Sequence, residues 1–181
     1  TQKKHHKKVV VNTCAVTNSA VQKSIQEVQK LAKLFPDKEI FVTGCASQVD
    51  KDLFRNLKNV KMIIDNKFKT LSKAYDNELE ITDENREYKF PELKFLNTKR
   101  SRATIQVQQG CNHRCTFCII PYGRGDSKSL PVGEVSKRIE LVLNEGFKEV
   151  VFTGVDLTSY GEDLPGKPRL GNMIKRIFKL H

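Results

Sequence analysis

"KKVVVNTCAVTNSAVQKSIQEVQKLAKLFPDKEIFVTGCASQ", residues 7–48, reads as strand, helix, strand. The β-branched run at 8–12 predicts a buried strand, followed by a turn of small and polar residues that carries Cys14. Val21, Ile25, Val28, Leu31, Ala32 and Phe35 recur at helical spacing, and Pro36-Asp37 stops the helix. The run at 38–44 repeats the first layout, an apolar strand and then a turn carrying Cys45. Strands alternating with helices point to an α/β fold built on a parallel sheet.

The same alternation continues outward. "KDLFRNL" (51–57) predicts a short helix, "NVKMIID" (59–65) a third strand and "KFKTLSKAY" (67–75) another helix. Residues 1–75 thus form a small parallel-sheet domain. Residues 76–100 are acidic, then mixed, with Pro91 and no clean period, and read as a linker. A second α/β run occupies 101–181. "RATIQVQQG" (102–110) is a strand, and "PVGEVSKRIELVLNEGF" (131–147) is a helix with Pro131 before it and Gly146 ending it. "KEVVFTGVD" (148–156) is a strand, residues 157–169 a loop, and "LGNMIKRIFKL" (170–180) a helix. Two parallel strands and two helices do not cover both faces of a sheet, so this second domain is expected to be incomplete.

Bulk composition narrows the function classes. The 181 residues are 38% hydrophobic and 29% charged, which is globular and able to bury a core. No apolar run approaches the roughly 18–20 residues that span a bilayer. The opening TQKKHHKK shows no signal peptide, and Thr1 in place of Met suggests a processed chain or a piece of a longer one. Lys and Arg total 32 against 21 acidic residues, a net +11 that suits RNA or an acidic surface, the alternative being general solubility. Basic density peaks over residues 94–138, which hold nine basic residues and only Asp126 and Glu134 as acids. Five cysteines, an odd number without a secretion signal, argue for reduced thiols in a cytosol-like compartment, free to bind metal.

"GCNHRCTFCIIPYGRG" (110–125) places Cys111, Cys115 and Cys118 at C-x3-C-x2-C spacing. Thiolates bind soft metals and iron–sulfur clusters, and structural zinc takes four protein ligands. Three thiolates on a four-iron cubane leave one iron open to a small molecule. Gly110 lets the chain leave the preceding strand sharply. The competing readings are a zinc knuckle with His113 as the fourth ligand, and unligated thiols. Cys14 and Cys45 each follow a parallel strand, where ligands of open α/β sheets collect, and so can converge on one sheet edge. Taken alone, they read equally as small buried cysteines. His5 and His6, in KKHHKK, read as solvated surface, with metal binding as the alternative.

The cysteine loop at the end of a strand resembles the radical S-adenosylmethionine (SAM) superfamily. The resemblance implies that Cys111, Cys115 and Cys118 hold a 4Fe–4S cluster. The methionine end of SAM then chelates the open iron, and one-electron cleavage of the sulfonium produces a 5′-deoxyadenosyl radical that abstracts hydrogen. Phe117 sits where that superfamily contacts the adenine. Gly154, Val155 and Asp156 follow the second strand, where it binds the cofactor's amino group; Asp156 reads alternatively as a loop cap, and Tyr160-Gly161 as a turn with a packed ring. The order "VVVNTCAVT", "VTGCASQ", "GCNHRCTFCIIPYGRG" is similar to the methylthiotransferases within that superfamily. It implies a second, auxiliary 4Fe–4S cluster on Cys14 and Cys45 that delivers sulfur. One SAM molecule methylates that sulfur and a second activates the substrate carbon.

The family's N-terminal domain has a third cysteine ligand upstream of the NTC motif, and residues 1–13 contain none. The chain thus reads as a fragment lacking both ends, including later barrel strands and an RNA-binding domain, and inactive in isolation. "TGVDLTSYGEDLPG" (153–166) most resembles the branch that methylthiolates N6-threonylcarbamoyladenosine beside the tRNA anticodon. Alternatives are isopentenyladenosine in tRNA, a ribosomal-protein aspartate, or a noncatalytic zinc-stabilised RNA-binding module. Lys99, Arg100, Arg102 and Arg124, which flank the loop, are the expected phosphate contacts, each also readable as a solvated charge. An electron donor such as flavodoxin or ferredoxin, a tRNA partner and a cytoplasmic location complete the expectation, with no membrane involved.

Overall fold

The computed structural model describes residues 7–76, 88–93 and 101–180. Contacts divide the chain into two units, Thr1–Tyr88 with Thr116–Arg124, and Lys89–Cys115 with Gly125–His181.

In the first unit β1 (Lys8–Thr13), β2 (Glu39–Gly44) and β3 (Val60–Ile64) form a parallel sheet in that order. β2 is central, so both its edges are paired, and Ile40 to Gly44 are buried. Side chains alternate across a strand. Ile40 and Val42 pack with Val28 and Ala32 of α1 (Asn18–Leu34). Phe41 packs on Ile64, Phe68 and Ala74. The Thr17 hydroxyl accepts the Ala20 N–H at 3.1 Å and starts α1, and the chain leaves it at Phe35-Pro36 as expected.

Residues 67–75 correct the sequence expectation. Only a 3₁₀ turn, Ser72–Tyr75, forms where a helix was expected. Phe68 donates to Asp65, Leu71 to Phe68 and Ala74 to Leu71, a succession of i→i+3 bonds. The apolar residues Phe68, Leu71 and Ala74 recur every three residues, which fits 3₁₀ winding and not the 3.6 period of an α-helix. Between β2 and β3 lie α2 (Cys45–Val49) and α3 (Asp52–Arg55). Cys45 therefore opens a helical turn, where an irregular turn was expected.

In the second unit β4 (Arg102–Gln106) pairs in parallel with β7 (Glu149–Thr153). The expected 102–110 strand is broken at Val107. Its N–H donates to Thr153 O at 2.9 Å, continuing the pairing with β7, while its carbonyl accepts the Leu130 N–H at 2.8 Å. From there β5 (Gln108–Gln109) pairs antiparallel with β6 (Lys128–Ser129). This switch turns the strand end, and the cysteine loop after it, toward the segment that follows the loop. α5 (Val132–Asn144) and α6 (Leu170–Leu180) bury Val135, Ile139, Val142, Met173 and Ile177 against Ala103, Ile105 and Val107. A fourth helix in chain order, α4 (Ile120–Arg124), belongs to the first unit and was not expected.

Tyr160 is fully buried, and its hydroxyl donates to Leu130 O at 2.7 Å. Burial, and then Asp163, push the phenol up to about 12. Tyr160→Phe leaves that carbonyl without its donor and is expected to cost about 1–2 kcal/mol in chemical denaturation. The folded-state value lies above the unfolded one, so the fold favours the protonated phenol. Wild-type stability is expected to fall as pH rises from about 10 toward 12, and Tyr160→Phe to flatten that alkaline slope.

Candidate iron–sulfur sites

The first unit explains the Thr13 that precedes Cys14 in NTC and the Thr43-Gly44 that precedes Cys45 in TGC. β1 and β2 pair with Thr13 opposite Gly44, so Cys14 and Cys45 leave neighbouring strands at one edge, and neighbouring strands lie about 4.8 Å apart. The Thr13 hydroxyl donates to Thr43 O at 2.8 Å and accepts the Ser47 N–H at 3.1 Å. The Thr43 hydroxyl reaches across to Ile64 O at 2.7 Å. All three strand ends are thereby stitched together just before the cysteines. Gly44 has φ +104°, and a Cβ there would lie 2.2 Å from Thr13 O, so no other residue fits. Cys14 is exposed and Cys45 half-buried.

Around Cys45 the unit gathers nitrogen donors. Arg124 Nε donates to Cys45 Sγ at 3.0 Å. Asn66 Nδ2 donates to Gly123 O at 2.6 Å and stands 3.9 Å from the same sulfur. Asn66 Oδ1 is buried without a partner. Lys69 is half-buried; burial first, then the Arg124 charge, lowers its ammonium pKa, while Cys45 opposes them. Soft thiols at one sheet edge and the Arg124 guanidinium beside one of them suit an anionic thiolate-bound cluster.

In the second unit the start of the cysteine loop, residues 110–114, is fixed. Gly110 has φ +72°, and a Cβ there would lie 2.0 Å from Asp126 O. Cys111 N–H donates to Gly125 O at 3.1 Å, and Asn112 Oδ1 accepts the Ser127 N–H at 2.9 Å. Arg114 clamps the Cys111 carbonyl at 2.9 Å and Asp126 at 2.7 Å. Cys111 is buried and Cys115 exposed; Cys118 and Phe117, carried by the first unit, are half-buried and 91% exposed respectively. None of the five cysteines is in a disulfide. Cys111 and Cys115 offer soft sulfurs, outside any disulfide, that fit iron–sulfur ligation, on a loop whose start is held to residues 125–127.

Asp156 comes next to Cys111. Its Oδ2 is 3.8 Å from Cys111 Sγ, 3.1 Å from His113 Nε2 and accepts the Ser159 hydroxyl at 2.7 Å. The Thr158 hydroxyl first, and then that of Ser159, hold this carboxyl below the usual range, so it is an anion at neutral pH. Cys111, His113 and Asp156 place one ligand atom each within 4.8 Å of one another. His113 thus meets Asp156 and Cys111, a different set from the three-cysteine knuckle weighed from sequence.

What holds Asp156 there is Gln108, which sequence reading missed. Gln108 is fully buried. Its Oε1 accepts the Val155 and Asp156 N–H groups at 2.8 and 2.7 Å. Its Nε2 donates to Gly110 O at 2.8 Å and Ser127 Oγ at 3.0 Å. One amide therefore ties the 154–156 turn to both ends of the cysteine loop. Gly154 permits this, because a Cβ there would lie 2.8 Å from Gln108 Cβ and 2.7 Å from Leu157 Cδ2. Among the expected phosphate contacts, Arg102 pairs with Glu149 at 2.8 Å across the β4–β7 register. Arg124 faces Cys45, and Lys99 and Arg100 lie outside the described residues, as do His5 and His6.

An open-sheet edge carrying thiols, and a three-cysteine loop after a parallel strand, define a radical SAM protein with a cysteine-bearing N-terminal domain. Sequence comparison agrees: residues 105–179 match the family described as the radical SAM superfamily, and residues 1–65 match uncharacterized protein family UPF0004. Threonylcarbamoyladenosine tRNA methylthiotransferase MtaB of Rickettsia prowazekii is 45% identical over 94% of this chain and 42% of its own length. Its namesake in Chlamydia pneumoniae is 34% identical over 93% of this chain and 38% of its own. The tRNA-2-methylthio-N(6)-dimethylallyladenosine synthase of Thermodesulfovibrio yellowstonii is 33% identical over 93% and 41%. The chain is similar to the radical SAM methylthiotransferases, those named MtaB among them. It spans about two-fifths of the length of these relatives.

Proposed function

We propose that this chain is part of a tRNA methylthiotransferase that places a methylthio group at C2 of N6-threonylcarbamoyladenosine beside the anticodon. The observation that carries the proposal is the Gln108 clamp, which sets an ionised Asp156 beside Cys111 at the base of a three-cysteine loop. In this reading Cys111, Cys115 and Cys118 hold the radical SAM cluster, and Cys14 and Cys45 contribute to an auxiliary one. Asp156 and the Gly154 backbone meet the charged amino-acid end of SAM, and Phe117, free of cover, offers its ring to the adenine. The cluster with bound SAM supplies one-electron cleavage of a sulfonium bond. The protein's part is to anchor the thiolates, orient the cofactor's amino group against the Asp156 carboxylate, and keep that carboxylate ionised.

The +11 charge supports a tRNA partner, with Lys99, Arg100 and Arg102 as phosphate contacts on the sequence leading into β4. We place the domains at 1–75 and 101–181, joined by 76–100. An electron donor of the flavodoxin or ferredoxin class and a cytoplasmic setting complete the proposal. No helix among the described residues is long and apolar enough to cross a membrane.

The test is mass analysis of tRNA nucleosides from cells lacking the gene. The expected result is accumulation of N6-threonylcarbamoyladenosine and disappearance of its 2-methylthio form. Intact 2-methylthio nucleosides, with loss of a methylthio group from a ribosomal-protein aspartate instead, would contradict the tRNA assignment.

A further inference from the structure

The contacts around Cys45 use a residue from far along the chain. α4 begins two residues after Cys118, the last cysteine of the loop, and packs on α2 within the first unit. Gly123 makes the approach possible: a Cβ there would lie 3.0 Å from Cys45 Cβ and 3.5 Å from its sulfur. Asn66 Nδ2 holds the Gly123 carbonyl at 2.6 Å, which fixes the helix over the thiol. Arg124 then delivers an N–H to Cys45 Sγ at 3.0 Å from a half-buried position.

A guanidinium in this place has a direct electrostatic consequence. Each one-electron reduction adds a negative charge to an iron–sulfur cluster. A cation and an N–H···S hydrogen bond at a ligand sulfur stabilise the reduced form more than the oxidised one, and so raise the reduction potential. Partial burial keeps this interaction from being screened as a surface pair would be.

We propose that Arg124 is a positioning residue of the auxiliary cluster: it orients the Cys45 ligand through its Nε–H and holds the cluster's reduction potential up. The proposal rests on the reading of Cys14 and Cys45 as ligands of that cluster. It gives the helix that follows the radical SAM cysteines a role in setting the second centre.

The experiment uses the whole chain with Cys111, Cys115 and Cys118 replaced by alanine, reconstituted anaerobically with iron and sulfide, so that one centre remains. Its midpoint is read by potentiometric electron paramagnetic resonance (EPR) with dithionite as the electron source. Arg124→Gln is expected to lower the reduction equilibrium constant about tenfold, which is about 59 mV for a one-electron couple. Arg124→Lys, which keeps the charge but not the planar N–H geometry, should fall between the two. An unmoved midpoint in Arg124→Gln, with iron and sulfide retained, overturns the proposal. If this background binds no iron or sulfide, and Cys14→Ala and Cys45→Ala leave the iron content of the otherwise unaltered chain unchanged, the ligand reading itself fails. The Arg124 role then falls with it.

Discussion

Alanine at Cys111, Cys115 or Cys118 is expected to abolish reductive cleavage of SAM, with the released methionine and 5′-deoxyadenosine falling to background. The reason is stoichiometric. On the proposed assignment three thiolates hold a four-iron cluster, and each variant leaves only two. The nearest other donors at Cys111, His113 Nε2 and Asp156 Oδ2, are already paired with each other at 3.1 Å. The loop's base hydrogen bonds use the Cys111 backbone, Asn112 and Arg114, so the fold around it should survive each substitution. The check is product quantification by mass spectrometry, together with circular dichroism and iron content. Any of the three variants that still cleaves SAM at the wild-type rate would contradict the ligand assignment.

Gln108→Leu should have the second-largest effect, and on two quantities at once. It removes the acceptor of the Val155 and Asp156 N–H groups and the donor to Gly110 O and Ser127 Oγ. Leucine fills most of the volume but offers no polar partner. Each buried group left unsatisfied costs about 1–3 kcal/mol, and water reaches the half-buried 155–156 amides, so about 3 kcal/mol is expected in urea denaturation. With its anchor gone, the 154–156 turn no longer holds Asp156 beside Cys111. SAM affinity in equilibrium dialysis is then expected to weaken at least about tenfold, or about 1.4 kcal/mol. Loss of stability with unchanged SAM affinity would show that Gln108 supports only the core.

The elements with sustained periodicity were legible in the sequence. α1, α5 and α6 each carry an apolar stripe over 11 or more residues, and the β-branched runs of β1 to β3 have few competing readings. Shorter pieces were not legible. α4 is five residues and has Pro121 in its first turn, where proline is tolerated, yet in the sequence Pro121 reads as a break. Winding at 67–75 follows a period of three that is easily mistaken for a helix. The split of the 102–110 strand depends on Leu130, which lies beyond the cysteine loop.

The candidate sites divide in the same way. Cysteines announce themselves by spacing, and Asp156 by its place after a strand. Gln108 and Arg124 carry no local sign, because their partners lie up to 48 and 79 residues away in sequence. Basic density and its place just after the cysteine loop make Arg124 read as an RNA contact in the sequence. Its Nε–H on Cys45 Sγ can be seen only once α4 is packed on α2.

The most direct test of the central claim is the EPR spectrum of the dithionite-reduced, anaerobically reconstituted chain before and after addition of SAM. Cys14 and Cys45 are replaced by alanine, so that only the loop's cluster contributes. The predicted result is a reduced 4Fe–4S signal that changes on SAM addition, because an iron without a protein ligand takes up the cofactor. A spectrum that stays the same at saturating SAM would mean that every coordination position is already filled by the chain.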